Sequence, residues 1–176
     1  MFALKRLGSA IEGVRILTLD VYGDLRGRFC EIFRSSSMPE TFVQCNHSRS
    51  ATGVLRGLHY HRHQGDLWYV PGGRAQVGLA DLRRRGGTPA TESLILDAGE
   101  PTTVYIPPGV AHGYLALTDL DVIYWVTSEY DPSDEHGVAW NDPTLAIPWR
   151  IDAEPVLSER DAKNPNLDWE LIPEFS

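Results

Sequence analysis

Short runs of apolar residues, cut by Gly and Pro, set the pattern of this chain, and no long stretch keeps a helical period. Residues 12–22, EGVRILTLDVY, predict an early strand with Val14, Ile16 and Leu17 apolar, and 23–29, GDLRGRF, a turn. RFCEIFR (28–34) alternates and predicts a strand in which Glu31 shares a face with Phe29 and Phe33. SSSMPE (35–40) reads as a loop able to open a short helix. TFVQCNHSRS (41–50) predicts a strand with Gln44, Asn46 and Ser48 on one face and Cys45 on the other. Further strands are expected at DLWYV (66–70), at RAQVGLADLR (74–83), in pairs across 93–109 and 114–130, and a single helical turn in LSERDAKNP (157–165) with Ser158 as N-cap.

The 16 Gly and 12 Pro are spread along the whole length, with no linker, repeat or low-complexity tract. About ten short strands separated by turn signals predict one all-β domain over 1–176, a jelly roll or similar barrel with alternate residues pointing into a pocket. Composition agrees with a globular domain, at 42% apolar and 23% charged residues. Acidic residues exceed basic ones by 24 to 16, a net charge of -8, which argues against a nucleic-acid surface but not against a nucleotide ligand. The N-terminus lacks a secretory pattern and no run has membrane-spanning length, so a cytoplasmic protein with no membrane partner is expected. Cys30 and Cys45 are then free thiols.

Candidate chemistry gathers in RGLHYHRHQGD (56–66) and IPPGVAHGY (106–114). On an extended strand His59, His61 and His63 would share one face, with Tyr60 and Arg62 on the other. Imidazoles at His59 and His112, carboxylates at Asp66 and Asp161 and a phenol at Tyr130 suit acid–base chemistry. An imidazole oriented by a carboxylate, facing a phenol, fits removal of a proton beside a carbonyl and its return to the opposite face. Such a reaction needs no redox cofactor.

Seven segments in order, DLRGRFCEIF (24–33), FVQCNHSRS (42–50), GVLRGLHY (53–60), VGLADLR (77–83), YIPPGVAHGYLAL (105–117), EYDPSDEHGVAWNDP (129–143) and LSERD (157–161), resemble the dTDP-4-dehydrorhamnose 3,5-epimerase family. The resemblance implies a cupin-type jelly-roll barrel with short helical segments. It also implies an isomerase that epimerises a nucleotide-linked 4-keto-6-deoxyhexose, a homodimer and no cofactor. By resemblance His59 is the base, Asp161 its carboxylate partner, Tyr130 the proton donor and His112 a second active-site histidine. Substrate contacts map onto Arg26, Phe29, Glu31, Gln44, Asn46, Arg56 and Trp140, where arginines suit a diphosphate.

The chain departs from the family just past its RGLHY segment. Asp66 stands where the family usually has a lysine that stabilises the enolate oxygen, and His61 stands where glutamine is common. A negative charge there hinders an enolate unless a cation compensates. The order His59-x-His61, Asp66, Gly73, Pro107-x-Gly109 and His112 resembles metal-binding cupins with Asp in place of Glu. The alternatives are therefore a divalent metal on His59, His61, Asp66 and His112, a single-site (C3 or C5 only) epimerase, or a non-catalytic nucleotide-sugar-binding relative. Metal ligation would consume His59 as the base.

Overall fold

A computed structural model of the chain describes residues 5–175. Among these residues thirteen strands follow in order. They are β1 (Lys5–Leu7), β2 (Arg15–Thr18), β3 (Val21–Asp24), β4 (Gly27–Cys30), β5 (Gln44–Ser50), β6 (Leu55–Tyr60) and β7 (Asp66–Gly72). Then come β8 (Arg74–Asp81), β9 (Thr91–Asp97), β10 (Thr102–Ile106), β11 (Val110–Ala116), β12 (Leu120–Val126) and β13 (His136–Gly137). Six strands pair in the order β1-β2-β10-β7-β12-β5, five in the order β13-β6-β11-β8-β9, and β3 with β4 forms a separate hairpin. Every pairing between named strands is antiparallel. Two short 3₁₀ turns, Ser35–Ser37 and Asp161–Lys163, supply the helical segments.

The two large sheets face each other across one apolar layer. Ile16, Trp68, Val104 and Val122 from the first meet Val77, Leu79, Val110 and Tyr114 from the second. A second layer covers the outside of the five-stranded sheet. There Leu58, Tyr60, Ala80 and Ala111 pack under Val138, Leu145, Ile147 and Ile172 of the C-terminal segment. Outside the six-stranded sheet, Phe33 stacks on Trp125 and meets Phe42 edge-on. Cover on both faces explains why 67–70 reads as an unbroken apolar run rather than an alternation.

Two local expectations are revised. The single strand expected over 12–22 is two, β2 and β3, which belong to different sheets. GDLRGRF is not merely a turn: its outer residues form the β3–β4 hairpin around Leu25 and Arg26, and the strand expected over 28–34 ends at Cys30. The turn near Ser158 matches: its hydroxyl accepts the Asp161 N–H at 3.0 Å and its carbonyl the Ala162 N–H at 3.0 Å.

The pairing of β6 with β11 decides what faces the interior. His59 lies opposite His112 and Arg56 opposite Tyr114, so three steps on β6 match two on β11. This bulge at Gly57–Leu58 turns both Arg56 and His59 inward, whereas strict alternation would send them to opposite faces. It also brings the two backbones unusually close. A Cβ on Gly113 would meet the Arg56 carbonyl oxygen at 2.6 Å, and one on Gly57 (φ 117°) would meet the Gly113 Cα at 2.7 Å. Gly113→Ala is therefore expected to lose about 1–3 kcal/mol of stability in urea unfolding, because backbone rather than a flexible side chain must give way.

Candidate active site

A cavity of about 240 Å³ opens between the sheets at the β5, β6 and β12 end. Gln44, Asn46 and Ser48 of β5, Arg56 and His59 of β6, Asp66 and Trp68 of β7, His112 and Tyr114 of β11 and Tyr124 of β12 line it. His61, Gln64, Tyr130 and Glu135 enter from loops. Alternation on β5 faces its polar residues inward, leaving Cys45 exposed. The Gln44 amide nitrogen donates to Asn46 Oδ1 at 2.8 Å, and the Tyr114 phenol bridges the sheets through Ser48 and Ser50 at 2.9 and 3.1 Å.

His59 Nε2 lies 2.6 Å from the Asp161 carboxylate, which is buried behind it. Burial works against ionisation of Asp161. The hydrogen bond to His59, attraction to it, and bonds from Ser158 and the Gly57 N–H outweigh burial and hold the carboxyl below its ordinary value. An ionised carboxylate only accepts, so the ring proton sits on Nε2 and the neutral imidazole keeps its lone pair on Nδ1. An imidazole oriented in this way can act as a base.

Tyr130 follows the end of β12, with its backbone N–H on Gln44 Oε1 at 3.0 Å. Its hydroxyl donates to Glu135 Oε2 at 3.2 Å, and Glu135 is ion-paired with Arg160. The Glu135 charge raises the phenol above its ordinary value, so Tyr130 stays protonated at neutral pH, as a proton donor must. A group acting as an acid loses activity as pH rises through its pKa. If Tyr130 is the acid, Glu135→Gln, which removes the main cause of the upward shift, moves the alkaline fall in kcat to lower pH, read from a pH–rate profile.

The loop after β6 departs from the expected arrangement. The strand ends at Tyr60, so His59, His61 and His63 do not share a face. His61 is buried and enters the cavity, while His63 is exposed. Asp134 ties this loop down: its carboxylate accepts the N–H groups of Arg62 and His63, and its carbonyl accepts His61 Nδ1–H at 2.9 Å. Asp66 is buried and bonded to Gln64, at 2.8 Å, and to Trp68 Nε1 and His112 Nε2, both at 3.3 Å. Burial raises its pKa, but the bond and charge of His112, then His61 and Gln64, outweigh this and leave it low. Burial and the nearby His112 lower the His61 pKa, favouring a neutral ring. His59 does not belong to the metal-ligand-like set: it is held by Asp161, while His61, Asp66 and His112 converge.

Other expected contacts lie elsewhere in one chain. Arg26 and Phe29 sit on the exposed β3–β4 hairpin, with Arg26 paired to Asp24, and Glu31 pairs with Arg34. Trp140 lines a separate hollow with Asp142 and Trp149. The geometry separates them because 21–30 forms its own hairpin, Glu31 follows it on the outside of the six-stranded sheet, and Trp140 lies by the C-terminal cover. Nothing in the sequence marks Glu135 and Asp134 as site residues, although both lie in EYDPSDEHGVAWNDP (129–143).

The model of the dTDP-4-dehydrorhamnose 3,5-epimerase family matches residues 8–168. The chain belongs to this family. It is an epimerase, in the isomerase class, with the family's cupin-type fold. The spore coat polysaccharide biosynthesis protein SpsL of Bacillus subtilis is 39% identical over 148 residues, covering 81% of this chain and 98% of the relative. The dTDP-4-dehydrorhamnose 3,5-epimerase of Salmonella typhimurium is 37% identical over 177 residues, covering 94% and 97%. The crystal structure of the dTDP-6-deoxy-D-glucose-3,5-epimerase of Legionella pneumophila, in complex with dTDP-4-keto-L-rhamnose, superposes with a TM-score of 0.91 at 33% identity. That match covers 99% of this chain and 100% of the other. Among the described residues, no helix is long and apolar enough to cross a membrane.

Proposed function

We propose that this epimerase acts on a dTDP-linked 4-keto-6-deoxyhexose, taking a proton from the carbon beside the C4 ketone and returning one to the opposite face. The observation that carries the reading is the shared cavity of His59, backed by Asp161, and Tyr130. His59 comes from the five-stranded sheet and Tyr130 from the end of the six-stranded one. A base and an acid arriving from opposite sheets suit inversion. His59 Nδ1 removes the proton, and the electron pair moves into the C4 carbonyl as an enolate. Tyr130 then protonates the other face. Gln44, Asn46 and Arg56 line the same cavity and supply polar contacts, with the Arg56 guanidinium suited to a phosphate.

The test is product identification. Incubation with dTDP-4-keto-6-deoxyglucose should give sugar proton couplings for an inverted C3, C5 or both. dTDP-glucose, which lacks the ketone, should be untouched. No inversion of the keto sugar would overturn the reading.

The roles proposed for Arg26, Phe29 and Glu31 need a second copy of the chain. The hairpin exposes Tyr22, Leu25 and Phe29, an apolar surface that another copy could cover. A homodimer would carry these three residues to the partner's cavity. Sedimentation should therefore give twice the chain mass, and Leu25→Asp should reduce it.

A further inference from the structure

We propose that His61, Asp66 and His112 form a site for one divalent first-row transition metal in the cavity, separate from the His59–Asp161 pair. The metal role at a ketone rests on the epimerase reading; the binding site stands on the donor geometry.

One ligand atom from each of the three residues lies within 4.8 Å of the others, and all three residues are buried. The direction of each donor is fixed from behind. His61 Nδ1 lies 2.9 Å from the Asp134 carbonyl and His112 Nδ1 lies 2.9 Å from the Val110 carbonyl. A carbonyl oxygen only accepts, so both Nδ1 atoms carry protons and Nε2 is the atom each ring can turn to a metal; at His112 the ion would displace the proton that Nε2 shares with Asp66. Imidazoles locked this way by a backbone carbonyl have the support that metal-ligating histidines use. Asp66 Oδ2 and His112 Nε2 are 3.3 Å apart. Two donors each about 2.1 Å from one ion have a similar separation. Two imidazoles and a carboxylate favour a first-row transition metal over Mg²⁺ or Ca²⁺ and leave coordination positions open.

The surroundings favour a cation. Asp66 puts a buried negative charge in the cavity, and the Gln64 amide nitrogen occupies the space between Asp66 Oδ1, at 2.8 Å, and His61 Nε2, at 3.3 Å. Metal binding would replace the Gln64 contact with His61. Most important, the ligand set does not use His59. Base and cation can therefore act together: His59 takes the proton while the metal opposes the charge that develops on the ketone oxygen. The same cavity thus accommodates Asp66 without an oxyanion facing an uncompensated carboxylate.

The full chain, stripped with chelator and dialysed, is titrated with Co²⁺ alone and followed by its visible absorption. One Co²⁺ per chain is expected, undisturbed by excess Mg²⁺ and displaced by Zn²⁺. His61→Gln and Asp66→Asn should each weaken binding at least tenfold, whereas His59→Asn should retain it. Circular dichroism of each stripped variant checks the fold, and His61→Gln, in a loop, carries the test if Asp66→Asn does not fold. Equal Co²⁺ binding by wild type and His61→Gln, or loss of binding in folded His59→Asn, would overturn the site. Bound Co²⁺ without turnover of the keto sugar would uphold the site and sink the proposed reaction on this sugar. Turnover with no Co²⁺ bound would do the reverse.

Discussion

His59→Asn is expected to lower kcat for epimerisation by about 10²–10⁴-fold, the usual contribution of a positioned acid or base. That is about 3–5 kcal/mol of barrier. The ring is partly exposed and holds one hydrogen bond, to Asp161, so Asn can replace it without opening the core. KM and the thermal midpoint should change little, because nucleotide contacts and packing remain. Asp161→Asn should also impair the base, but for another reason. Its amide N–H can donate to Nε2 and trap the wrong tautomer. Steady-state kinetics with thermal unfolding of the same preparations checks both. Loss of the fold alongside activity in His59→Asn would make its role structural.

Tyr130→Phe should separate two events that occur together in the wild type. The phenol is exposed in one chain and donates to Glu135, so its removal deletes a proton donor without leaving a buried cavity. His59 still generates the enolate. Solvent protons then return from the side of the base. Inversion is expected to fall by about 10²–10⁴-fold while hydrogen exchange at the same carbon persists. Proton NMR in heavy water reads both rates from one sample. Equal losses of exchange and inversion would assign Tyr130 to enolate formation or binding instead.

Much of this site follows from period-two alternation in the sequence. Gln44, Asn46 and Ser48 share one face of β5 as expected, because that strand is regular through Ser50, but alternation alone does not say that this polar face turns into the cavity rather than to solvent. Alternation fails where the backbone is irregular. Arg56 and His59 both turn inward only because β6 carries an extra residue opposite β11, which nothing in RGLHY announces. The next step fails for a similar reason: His61 reaches the cavity from a loop tied by Asp134, not from an extended strand that would have brought His63 with it. Glu135 was missed because its role depends on contacts with Tyr130 and Arg160 in space. The hairpin bearing Arg26 and Phe29 marks another limit. Its residues match the family motif, yet one chain leaves them outside the cavity. The competition expected between a base and a metal at His59 also disappears, since Asp161 holds His59 while His61 joins Asp66 and His112.

Inversion by proton removal and return leaves solvent hydrogen at the inverted carbon, and deuterium there reads it out. Wild-type protein acting on dTDP-4-keto-6-deoxyglucose in heavy water should place one solvent deuterium at every carbon it inverts. An inverted carbon that keeps its original protium would contradict the account.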